Sequence, residues 1–139
     1  MNGKVRGFTF TELAVVIVVL GIVAAVASAR FSSTALAEVQ ATRDNIVAGL
    51  FYTQQIAIAR GNSSTVQFVA SGNSVSVEED GATLDASNYP LTLPSGITLT
   101  PSTTLVFDKL GRTTATTFTL SDGFGTSATI TVEATGYAH

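Results

Sequence analysis

The sequence predicts an α+β protein in which one long N-terminal helix packs on a C-terminal antiparallel β-sheet. Three observations predict it. Leu13 to Ala27 is an unbroken run of Leu, Ala, Val, Ile and Gly. No proline interrupts Phe8 to Arg60, and apolar residues recur near three- and four-residue spacing over the second half of that stretch. After Gly61 the apolar period shifts to two, in short runs divided by turn residues. With 139 residues, the chain suits one domain with an appendage.

Residues 1–7 are polar and basic, carry Lys4 and Arg6, and end in Gly7. They read as a leader. Residues 8–29 follow as a helix of roughly 33 Å, long enough to cross a bilayer core. The basic groups precede this span, so the positive-inside tendency places the leader in the cytoplasm and the bulk of the chain outside. Arg30 is a single opposing charge on the far side.

Residues 30–61 read as an amphipathic helix. Leu36, Val39, Arg43, Ile46, Val47, Leu50, Phe51, Gln54 and Ile58 form the expected core-facing stripe, with Glu38, Gln40, Thr42, Asp44 and Asn45 on the opposite face. Gly61-Asn62 supplies the stop.

Residues 62–139 form the β-rich head. Val66 with Phe68 and Val75 with Val77 alternate with polar neighbours around Ser71-Gly72-Asn73, a hairpin signal. Glu78 to Pro90 reads as a loop. Ile97 with Leu99 and Leu105 with Phe107 give short strands either side of Pro101, and Lys109 to Arg112 a turn. Phe118 with Leu120 and Ile130 with Val132 complete the set, separated by Ser121 to Gly125. Such strands form an antiparallel sheet with one face free to bury against the helix.

Composition narrows the function. The chain is 45% hydrophobic and 12% charged, too apolar for a disordered tail. Its net charge of −3 becomes more negative once Lys4 and Arg6 leave with the leader, which disfavours nucleic acid as a partner. The absence of cysteine excludes disulfides and thiolate metal sites. His139, the one histidine, has no evident Ser or Asp constellation, so hydrolytic triads have little support and no enzyme or cofactor is expected.

Glu12 is the most informative residue. A carboxylate at the head of a membrane span costs about 2.5–3.5 kcal/mol near mid-bilayer and less toward the interface, so it calls for a partner or a headgroup-level position. The string Gly7-Phe8-Thr9-Phe10-Thr11-Glu12-Leu13, behind Lys4 and Arg6 and ahead of the apolar run, closely resembles the class III leader of type IV pilins and type II secretion pseudopilins. The resemblance implies that a prepilin peptidase cuts after Gly7 and methylates the new amine of Phe8. It also implies that Glu12 neutralises the Phe8 amine of a neighbouring subunit in the filament core, a pair better suited to fixing register than to adding stability. The implied partners are that peptidase, sibling pilins, and the inner-membrane assembly platform with its ATPase.

Later segments extend the resemblance. Gln54 to Gly61, Phe107 to Arg112 and Thr135 to His139 are similar to minor pseudopilins of the H type. Arg30-Phe31, Thr42-Arg43-Asp44 and the Thr-Gly-Tyr-x-His ending resemble minor pilin C of mannose-sensitive haemagglutinin (MSHA) pili. Two features depart from the family pattern. Ala29 stands where many pilins carry Pro, which predicts a more continuous helix, and no cysteine closes a C-terminal loop. The second departure favours a minor subunit over a major adhesive one.

A different reading competes. Ala27-Ser28-Ala29 fits a signal-peptidase site, and cleavage there would release a soluble exported binding module beginning at Arg30. It leaves the Gly-Phe-Thr-Phe-Thr-Glu string unexplained. Three further candidates are weaker. Glu78-Glu79-Asp80-Gly81 with Asp85 could recruit Ca²⁺, but without a full binding-loop pattern it reads as a solvated loop. Asn62-Ser63-Ser64 matches a glycosylation sequon that a turn also explains. Phe124, between two glycines, is either an exposed contact or, as favoured here, an apolar plug at a turn.

Overall fold

A computed structural model of the chain describes residues 9–84 and 87–139, with the side chains of 27–33 left out. The helix α1 spans Phe10–Arg60. Its backbone is helical through Ala29, where proline would have removed a ladder hydrogen bond. At its end Gly61 adopts φ 63° and donates its N–H to the Ala57 carbonyl at 3.0 Å, the left-handed cap that glycine takes without a Cβ penalty. The chain divides into two units, Met1–Thr34 and Ala35–His139.

In the second unit α1 is joined by the strands β1 (Val66–Ser71), β2 (Ser74–Glu79), β3 (Ala82–Thr83), β4 (Leu91–Thr92), β5 (Thr98–Thr100), β6 (Thr103–Phe107), β7 (Thr116–Ser121) and β8 (Ser127–Val132). The expected single sheet is two antiparallel sheets. One has the order β3-β2-β1-β6 with β4 also on β2, and the other the order β5-β7-β8. β1 and β2 form the anticipated hairpin, with Ser71 opposite Ser74.

The sheets part at Pro101. β5 and β6 are separated by Pro101-Ser102 alone, yet β5 pairs with β7 and β6 with β1. A two-residue hairpin needs a positive φ at its first central position, which the proline ring forbids. The Glu78–Pro90 segment is also more ordered than a loop. Glu78 and Glu79 end β2, Asp80-Gly81 turns with φ of 51° and 82°, and Ala82–Thr83 return as β3.

The core gathers the predicted alternating residues. Phe68, Val77, Leu99, Phe118, Leu120, Ile130 and Val132 are all fully buried. The Phe68 and Phe118 rings meet edge to face, with centroids 6.5 Å apart.

The buried stripe of α1 differs in phase from the expected one. It runs through Val39, Thr42, Ile46, Gly49, Leu50, Thr53 and Ala57, whereas Leu36 and Ile58 are about half exposed and Arg43 only partly buried. Small residues take the closest approach. A Cβ on Gly49 would lie 3.0 Å from Tyr89 Oη and 3.3 Å from the Phe68 ring. Thr42 and Thr53 can be buried because their hydroxyls donate back to the carbonyls of Glu38 (2.8 Å) and Gly49 (2.7 Å). Residue polarity therefore misplaced Thr42 on the outer face.

Candidate assembly site

The first turn of α1 is built by two residues. Thr9 stands at the N-cap, where its backbone N–H and its hydroxyl both donate to Glu12 Oε2 at 2.9 Å. In return the Glu12 N–H donates to Thr9 Oγ1 at 3.3 Å. This is a capping box, which satisfies N–H groups that a helix start leaves orphaned and sets a carboxylate against the positive end of the helix dipole. Reading Glu12 only as a charge misses Thr9, although Thr-x-x-Glu ahead of an apolar run is the signature. Gly7 and Phe8, the expected cleavage and methylation positions, lie outside the described residues.

The helix after this turn is apolar on every side. Val15, Val16, Ile17, Val18, Val19 and Leu20 are consecutive, so they sweep the whole circumference, and each is exposed. A helix hydrophobic all round requires burial in lipid or among other helices. Among the described residues no helix is long and apolar enough to cross a membrane. The expected span, residues 8–29, reaches past the described side chains at both ends.

In the second unit, the three segments that resemble H-type pseudopilins converge. The Gln54 amide donates to the Gly111 carbonyl and to the Thr135 carbonyl, both at 3.1 Å, tying α1 to the turn after β6 and to the C-terminal turn. Glycine is required where they meet. Gly136 has φ 83°, and a Cβ there would collide with the Gly111 carbonyl oxygen. Gly111, at φ 75°, would put its Cβ 2.8 Å from Gln54 Cγ.

Asp108 holds the middle segment in shape. Its Oδ1 accepts from the N–H groups of Leu110 (2.8 Å) and Arg112 (2.9 Å), and its Oδ2 pairs with the Arg112 guanidinium at 2.8 Å. These bonds, that from the Arg112 N–H foremost, hold its carboxyl below the ordinary aspartate range. The C terminus then closes on β8, with Thr131 and His139 exchanging backbone hydrogen bonds of 2.8 and 3.0 Å. His139 stacks on Tyr137 (centroids 5.4 Å), and Tyr137 in turn lies 6.0 Å from Phe51. That places the terminal His in a packing role.

The remaining candidates are occupied by local bonds. Glu79 pairs with Arg60 at 2.8 Å and accepts from Ser64, Glu78 accepts from Gln67 and Ser76, and Asp80 accepts from the Thr65 N–H. Asp85 lies outside the described residues, among which no acidic or histidine cluster suits a metal. Phe124 is not a plug: it is 94% exposed. The loop beneath it is instead filled by Asp122, whose Oδ1 accepts from the N–H groups of Phe124 (2.8 Å) and Thr126 (3.0 Å). Those bonds, first that from Phe124, lower the Asp122 carboxyl below its ordinary range.

Two family models match the chain. One describes the prokaryotic N-terminal methylation motif and covers residues 2–28; the other describes the type II transport protein GspH and covers residues 42–136. No curated protein and no solved structure matches at a significant level. The methylation motif implies a prepilin peptidase and sibling pilin or pseudopilin subunits as partners. The second match takes in the helix end, both sheets and the Gln54 junction, and the chain belongs to the GspH family, as a structural and non-enzymatic subunit of the minor pilin or pseudopilin class.

Proposed function

We propose that the chain is a minor subunit of a type IV pilus-related filament, of the MSHA type or of a type II secretion machine, that aids assembly of the fibre. It is cut between Gly7 and Phe8 and methylated on Phe8. Residues 8–29 then hold it in the inner membrane with its head in the periplasm, until the assembly platform and its ATPase draw it into the filament. The observation that carries this reading is the all-round apolar helix headed by the Thr9–Glu12 capping box. An exposed surface of that kind needs lipid before assembly and other helices after it. In the filament, Glu12 pairs with the Phe8 amine of a neighbour, which fixes the axial register.

The methylation-motif match across residues 2–28 supports this reading over release of a soluble module after Ala29. Mass analysis of the mature N terminus tests it. A chain beginning at N-methylated Phe8 is expected; one beginning at Arg30 overturns it. The MSHA assignment rests on Arg30-Phe31, Thr42-Arg43-Asp44 and the Thr-Gly-Tyr-x-His ending. Deleting the gene should then abolish mannose-sensitive haemagglutination and cell adhesion while leaving protein secretion intact. The reverse phenotype assigns the subunit to a secretion filament.

A further inference from the structure

Phe124 stands 94% exposed on the loop joining β7 to β8. The loop is held in shape by the Asp122 carboxylate, and Asp122 and Thr126 close it with an N–H to carbonyl bond of 3.1 Å. Gly123 and Gly125, at φ of 74° and 107°, let the backbone turn on either side of the ring. An aromatic ring is thus held out in water by a carboxylate built in beneath it.

Its position in the fold suggests what covers it. Phe124 lines a small depression, about 160 Å³, together with Ala35, Glu38 and Ile97. Ala35 is the first residue of the second unit, the point at which the chain leaves for the apolar helix. It lies six positions after Ala29, at most roughly 22 Å of fully extended chain and about 9 Å of helix. This tether bounds the distance whatever the relative placement of the two units. Leu36, next to Ala35, is 48% exposed and adds to the apolar character of this end.

We propose that Phe124 is a second membrane contact, seated in the headgroup zone of the bilayer while the subunit awaits assembly. This rests on residues 8–29 spanning the membrane. An exposed apolar ring gains by leaving water for the headgroup–acyl boundary, where Phe side chains of surface-bound segments bury, and lipid is the one partner that the tether supplies to every unassembled subunit. The neighbouring carboxylates, Glu38 and Asp122, favour a zwitterionic surface over an anionic one.

The chain contains no tryptophan, so one introduced residue reports its own surroundings. Three full-length variants, Phe124→Trp, Leu110→Trp and Val19→Trp, are reconstituted in phosphatidylethanolamine–phosphatidylcholine vesicles bearing quenchers at shallow or deep positions. Leu110 is also well exposed, at 61%, but sits beside the Gln54 junction, roughly 25 Å further along α1 than Ala35 to Glu38. The expected result is loss of Phe124→Trp emission with the shallow quencher, loss of Val19→Trp emission with the deep one, and no loss for Leu110→Trp. If Val19→Trp is quenched and Phe124→Trp is not, the membrane contact is overturned while the span stands. If Val19→Trp is unquenched, the span falls and the contact falls with it. Equal quenching at Phe124 and Leu110 also overturns it, as does a blue shift at Phe124 that follows protein concentration rather than lipid label, which would mark a second subunit on the tip.

Discussion

Gln54 shows how much one side chain can organise. Its amide joins α1 to the turn carrying Gly111 and to the one carrying Thr135. Replacing it with alanine removes two hydrogen bonds, each contributing about 0.5–1.5 kcal/mol. Urea unfolding of the full chain in detergent should therefore show a loss of about 1–3 kcal/mol. Gly136→Ala should cost more, because it adds a collision with the Gly111 carbonyl to a positive φ. Equal or smaller loss for Gly136→Ala would show that the two turns can move apart.

Asp108 makes a pH prediction. Its folded pKa is depressed, so its contribution is present above the unfolded value and is lost as pH falls through the folded one. Stability should decline below about pH 4, and the decline should be shallower in Asp108→Asn. Comparing urea midpoints of the two proteins across that range checks it. These residue-scale features were only partly legible. The segments around Gln54, Gly111 and Gly136 stand out one by one in the sequence, but their meeting does not, because residues 54, 111 and 136 are joined only by the fold.

At the scale of elements, periodicity was a good guide to the strands and a poorer one to the helix. A strand has two faces, so alternation fixes which residues point inward: Phe68 and Val77, or Phe118 and Leu120, leave little choice. A helix can rotate by a residue and still bury a stripe. What set the phase of α1 was close approach at Gly49 and the ability of Thr42 and Thr53 to satisfy their hydroxyls internally. Phe68 lies at this contact and is fully buried, so Phe68→Ala should cost about 3–5 kcal/mol. Val106→Ala, on the exposed side of β6, should stay within about 0.5 kcal/mol. Similar unfolding midpoints for the two variants would mean that the core is not where these contacts place it.

At the scale of the whole molecule, the proposed assembly role rests on the apolar helix and its first turn. Glu12 has two separable roles, as the capping partner of Thr9 and as the proposed charge partner of a neighbour's Phe8. Glutamine preserves the cap, since it too closes a capping box, but removes the charge. Glu12→Gln and Glu12→Ala should both enter filaments about 100-fold less often, the ratio for roughly 3 kcal/mol lost from a broken buried pair. Normal entry by Glu12→Gln in a pilus-incorporation assay would leave only the cap. By itself the sequence determined the long helix and six of the eight strands, the apolar character of the first helix, the alternation of those strands and the motif at residues 7–13, because each is written in neighbouring residues. The tertiary structure alone decided the division into two sheets, the rotation of α1, the junction at Gln54 and the exposure of Phe124. Those depend on which distant segments touch, and local pattern carries no distance between them.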